Sequence, residues 1–79
     1  MKPEVAFGVV LKNARTNHGI SQEQLALLCD LDRTFISMLE RGQRQPSLTS
    51  IISISSSLQV PAHELIKQTT ELIDESHEN

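Results

Sequence analysis

The tightest constraint on this chain lies between Ile20 and Gly42, where two helix-start signals stand close together. Ser21 and Gln24 have the spacing of a capping box: the hydroxyl accepts from one orphan amide, and the Gln side chain reaches back to another. Asp32 is a second N-cap, and its carboxylate also complements the positive end of a helix. Leu25, Ala26 and Leu28 predict the inward face of the first helix, which ends near Cys29, and Asp30 and Leu31 make the turn. Ile36, Leu39 and Phe35 predict the buried side of the second, which Arg41 and Gly42 end. Asp32 to Glu40 is about two and a half turns, too short to persist without packing. The segment reads as two short helices joined by a tight turn. Arg33, Thr34 and Ser37 stand away from the apolar face of the second helix.

The rest of the chain supplies a scaffold for this pair. Phe7, Leu11 and Ala14 fall at helical spacing and predict a first helix from about Glu4 to Asn17. Pro3 suits its first turn, and Gly19 supplies a left-handed stop. After a polar loop over residues 43–47, Ser47 can cap a fourth helix, roughly Leu48 to Leu58, with Leu48, Ile51, Ser55 and Leu58 on one face. The serine-rich run 51–57 has poor helix propensity and partly alternates as a strand would. The cap and the length favour a helix, and a single strand would have no sheet to join. A fifth helix begins near Pro61, with Leu65, Ile66, Thr69, Leu72 and Ile73 as its stripe, and fraying is expected from Glu71 onward. The expectation is an all-α fold of five helices: one domain over residues 1–79, a core of about 4–69, and a frayed tail over 74–79.

Composition narrows the function. A chain of 79 residues buries about 60% of its unfolded surface and is marginal alone. The lone Cys29 excludes an intrachain disulfide, and His18, His63 and His77 make no metal spacing. A partner chain is therefore the expected supplement. There is no nucleophile–base set, glycine-rich phosphate loop or metal cluster, so neither an enzyme nor a cofactor is expected. Cys29 reads as a small buried apolar residue. The single cysteine and the lack of a signal-peptide pattern fit a cytoplasmic protein, and no apolar run approaches the ~20 residues that cross a bilayer.

The net charge is −3, but its distribution is uneven. Residues 61–79 hold five acids against Lys67, whereas Arg33 to Arg44 holds three arginines and one acid, Glu40. A basic patch on an acidic molecule can still bind phosphate. Two short helices that hold a polar face clear of a core are the design of a helix-turn-helix reader of double-stranded DNA. Arg33 and Thr34 begin the reading helix. The guanidinium can donate twice to guanine, Thr34 can meet a thymine methyl, and Ser37 lies one turn on. Gln22 at the start of the second helix, Gln43, Arg44 and Gln45 in the loop, and Arg41 are the candidate phosphate contacts.

The chain resembles the lambda-repressor-like, or Xre-type, helix-turn-helix family over residues 7–66. The resemblance rests on Phe7-Gly8 with Leu11 and Arg15, Gly19-Ile-Ser-Gln-Glu-Gln-Leu-Ala26, Leu31, Ile36-Ser-Met-Leu-Glu-Arg-Gly42, Pro46-Ser-Leu48, Leu58-Gln-Val60 and Glu64-Leu65. It implies a five-helix DNA-binding domain with a buried Arg15–Glu40 pair linking the first and third helices. Within the family, Leu31-Asp-Arg-Thr-Phe-Ile-Ser37 is similar to the small controller proteins of restriction–modification systems, as is the total length with nothing beyond the fifth helix. That resemblance implies regulation of the protein's own operon and of an endonuclease gene, activating when one dimer is bound and repressing when a second binds beside it. Activation would need a patch touching RNA polymerase, for which Glu23 and the loop after the third helix are candidates. Gln59 departs from the family pattern, which has Gly at that helix end, and Ala14 and Ser55 replace a larger aliphatic and an alanine.

One module covers few base pairs, so a homodimer on a pseudo-palindromic operator is expected. Ile52, Ile66, Leu72 and Ile73 are the candidate interface, with completion of the monomer core as the alternative. Two other readings stay open: a phage-type repressor or antitoxin of the same fold, and a protein-interaction module that does not bind DNA.

Overall fold

The structure, a computed structural model, describes residues 1–77. Five helices follow in order: α1 (Pro3–His18), α2 (Gln22–Cys29), α3 (Arg33–Glu40), α4 (Leu48–Leu58) and α5 (Ala62–His77), with no strand among the described residues. The local signals act as their chemistry requires. Ser21 and Gln24 close a reciprocal capping box, Asp32 accepts from the Thr34 amide at 3.0 Å, and Ser47 accepts from the Ser50 amide at 3.1 Å. Gly19, at φ 83°, turns α1 off and donates its amide to the carbonyls of Arg15 and Thr16.

The core is aliphatic. Leu11, Leu25, Ile36, Leu39, Ile54, Leu58 and Leu65 are fully buried, and Phe7 and Val10 join them. Every helix contributes to this one cluster, which is how α2 and α3, each eight residues long, are held in place. Packing of a shared core also overrides the poor propensity of the serines in α4. Their hydroxyls turn back onto the helix, Ser55 donating to the Ile52 carbonyl and Ser57 to that of Ser53, while Ser53 donates to the Cys29 carbonyl of α2 at 3.2 Å.

Two expectations are corrected. Leu28 is not an inward residue: it is 60% exposed, and Leu25, Ala26 and Cys29 form the buried face of α2. Leu48 likewise leaves the core, and Ile54 replaces it among the buried residues of α4. Both errors arise because a short helix offers several apolar stripes at permitted spacing. α5 continues through His77, past Glu71 from which fraying was expected, with Leu72 packed against the core and the N-terminal ammonium of Met1 donating to the Ser76 hydroxyl at 3.0 Å. Residues 78 and 79 of the expected tail lie outside the described residues.

Two non-glycine residues adopt left-handed backbone, Asp30 at φ 54° and Gln59 at φ 57°. Each closes a helix end where glycine would carry no Cβ penalty. No described helix is long and apolar enough to cross a membrane.

Candidate nucleic-acid interface

The interface begins with what aims α3. The Arg15 guanidinium on α1 grips Glu40 at the end of α3 with two bonds, Nε to Oε2 at 2.6 Å and Nη2 to Oε1 at 3.0 Å. Its Nη1 donates to the Ile20 carbonyl at 2.8 Å, so one side chain also fixes the connection into α2. The two side chains are only 11% and 3% exposed. The hydrogen bond to Glu40 raises the Arg15 pKa further above its already high ordinary value, outweighing the desolvation that opposes it. The pair neutralises the one acid of the basic segment.

Gly8 makes this approach possible. A Cβ at that position would lie 2.5 Å from the Leu39 carbonyl oxygen and 2.8 Å from that of Glu40. Backbone therefore meets backbone where α1 crosses α3. A glycine inside an otherwise helical pattern was the available signal for such contact.

At the opposite end of α3, Arg33 and Thr34 are exposed side by side in its first turn, and Ser37 is half-buried one turn on. The three residues expected to read bases thus share one end of one helix. The expected phosphate contacts divide. Gln43, Arg44 and Gln45 are exposed in the loop after α3. Arg44 is not loose there: its guanidinium stands 5.8 Å from the centre of the Phe35 ring, within cation–π range. Arg41 is exposed but folds back, its Nε donating to the Ser37 carbonyl at 3.3 Å. Gln22 differs most from expectation, because its Nε2 donates to Glu40 Oε1 at 3.0 Å and the side chain lies against the ion pair.

The candidate interface residues also divide. Ile52 and Ile66 are 52% and 42% exposed, Ile73 is half-buried, and Leu72 packs against the core of its own chain. Leu48, 73% exposed and four residues before Ile52, lies on the same outer face of α4 and was missed by the sequence reading. Cys29 is buried, its thiol donates to the Leu25 carbonyl, and burial pushes its pKa up, as befits an inert packing residue. No group of acids, histidines and cysteine fit to hold a metal occurs among the described residues.

A two-helix unit with a polar, arginine-bearing N-terminus on its second helix, braced from behind by a buried ion pair, is a helix-turn-helix DNA reader. Comparison with known proteins agrees. The family model described as helix-turn-helix matches residues 11–65. The control protein C.BamHI of Bacillus amyloliquefaciens is 45% identical over 65 residues, covering 81% of this chain and 80% of that one. The control protein C.MunI of Mycoplasma sp is 40% identical over 63 residues, 78% of this chain and 85% of its own. Among solved structures, the restriction–modification controller protein C.AhdI from Aeromonas hydrophila superposes with a TM-score of 0.77 at 44% identity, covering 78% of this chain and 94% of that one. The chain belongs to the helix-turn-helix family of DNA-binding regulators, and these relatives are control proteins, not enzymes.

Proposed function

We propose that this protein is a homodimeric, cytoplasmic controller of a restriction–modification system that binds a pseudo-palindromic operator and regulates its own operon and an endonuclease gene. The observation that carries the reading is the exposed pair Arg33 and Thr34 at the start of α3, on a helix locked to the scaffold by Arg15 and Glu40. The similarity to C.BamHI, C.MunI and C.AhdI supports the choice of system. Arg33 donates to a guanine edge, and Thr34 and Ser37 complete the direct contacts. Gln43, Arg44, Gln45 and Arg41 set the register on phosphates without specifying sequence.

Dimerisation uses the outer face of α4 and the apolar residues of α5. Ile52, Ile66 and Ile73 carry it, and Leu48 extends it. Leu72 contributes from its place at the edge of the core. A dimer sets two reading helices ~34 Å apart, one turn of B-DNA. Sedimentation at tens of micromolar tests the assembly: a dimer that Ile52→Asp dissociates supports it, and a monomer throughout defeats it. A reporter driven by the promoter of the neighbouring endonuclease gene tests the regulation. Output that rises at low protein levels and falls at high levels supports the controller reading, and a flat response defeats it.

A further inference from the structure

We propose that the Gln22 side chain is a positioning residue that acts through Glu40 on the aim of α3, and that it is not a phosphate donor. The inference rests on the proposed base reading by α3. Gln22 is the first residue of α2, where an amide side chain would ordinarily reach outward to a DNA backbone. Here the side chain is half-buried and turned inward, with one N–H of its Nε2 donating to Glu40 Oε1 at 3.0 Å. That oxygen also accepts from Arg15 Nη2 at 3.0 Å, while Oε2 takes Arg15 Nε. Glu40 therefore receives one hydrogen bond from α2 and two from α1, all on a carboxylate that is 3% exposed.

The consequence is mechanical. Arg15 adds a directional tie from α3 to α1 and, through the Ile20 carbonyl, to the connection that precedes α2. Gln22 adds the one direct side-chain bond from α2 to this carboxylate. α2 and α3 are otherwise joined by apolar packing and by the turn at Asp30, where the left-handed backbone is strained. Apolar packing holds a two-turn helix in place but, being non-directional, specifies its exact rotation less sharply than a hydrogen bond does. A charge-assisted hydrogen bond at its far end restricts them. The angle between α2 and α3 fixes where Arg33 falls relative to the base edges. Gln22 thereby contributes to sequence discrimination without touching DNA. A direct phosphate contact would instead weaken binding to every sequence alike.

The test uses Gln22→Met, which keeps the length of the side chain and removes the donor, and Gln22→Glu, which places a second carboxylate against Glu40. The probes are a duplex selected by the wild-type protein from a random-sequence pool and a scrambled duplex of equal length. Affinities are read by fluorescence anisotropy, and melting temperatures are taken without DNA. The expected result for Gln22→Met is a loss of about tenfold on the selected duplex, the worth of one hydrogen bond, with binding to the scrambled duplex unchanged. Equal losses on both duplexes would make Gln22 a phosphate donor and overturn the proposal, as would no loss on either. A wild-type protein that selects no sequence would defeat the base-reading account instead. The melting temperatures decide the contact on their own: Gln22→Glu should melt well below Gln22→Met, because only the former sets like charges together, and equal melting would overturn the inference.

Discussion

Gly8 and Leu39 meet without an intervening side chain: a Cβ on Gly8 would stand 2.5 Å from the Leu39 carbonyl oxygen. That distance sets how closely α1 and α3 pack, and with it the reach of Arg15 to Glu40. The neighbouring atoms are backbone of α3, which cannot step aside as a flexible side chain would. Gly8→Ala should therefore destabilise the fold by about 1–3 kcal/mol, the usual cost of overpacking. The loss is expected even though alanine favours helix over glycine by about 1 kcal/mol at an unconstrained position. Urea unfolding measures the sum, and a variant more stable than wild type would show that α1 and α3 are not in backbone contact.

The Arg15–Glu40 pair should behave as a unit. Removing Glu40 alone, as Glu40→Leu, strands a guanidinium that is 11% exposed, at a cost of about 3–5 kcal/mol. Removing both, as Arg15→Met with Glu40→Leu, should cost less than the sum of the two single changes, because no charge is then left without its partner. The sign of the pH effect follows from the raised Arg15 pKa. Its stabilisation is fully present below the unfolded value and is lost only as pH rises through the folded one, so this contribution stays constant from about pH 5 to 8. Denaturant unfolding of the four proteins measures the coupling, and strictly additive losses would contradict it.

Gln59 closes α4 at φ 57°, a conformation that costs a residue with a Cβ about 1 kcal/mol. Gln59→Gly removes that cost but gives the unfolded chain more freedom, which offsets part of the gain. The expected outcome is a small rise in melting temperature, and a fall would show that the side chain does more than terminate the helix.

These positions mark what the sequence makes legible. Helix ends are local chemistry: Ser21 with Gln24, Asp32 and Ser47 announced themselves through side chains that cap within three residues, and Gly19 through the lack of one. Even the left-handed backbone at Gln59 could be anticipated, from a residue standing where a family pattern has glycine. Facing was harder. Leu28 and Leu48 fit an apolar stripe by spacing, yet the shared core buries Cys29 and Ile54, and which stripe faces inward is not encoded in a short helix alone. Contacts between distant segments were least visible. The role of Gly8, the bond from Gln22 to Glu40 and the placement of Arg44 against Phe35 depend on how helices cross. The continuation of α5 past Glu71 belongs with them, because it depends on packing against α1 and not on the propensity of an acidic run.

Arg33 bears the central claim most directly, because it is exposed, stands at the first position of α3 and has no structural partner among the described residues. Arg33→Ala should leave the melting temperature unchanged while removing about 1–3 kcal/mol of base discrimination. The deciding measurement is a gel-shift titration of the protein against the DNA upstream of its own gene, with Arg33→Ala beside it. The account predicts a shift in two steps for the wild type, as one dimer and then a second bind, and loss of sequence preference in a folded Arg33→Ala variant. No shift by the wild type at low salt would contradict it, and would return the chain to the reading of an interaction module that has kept the fold without the DNA.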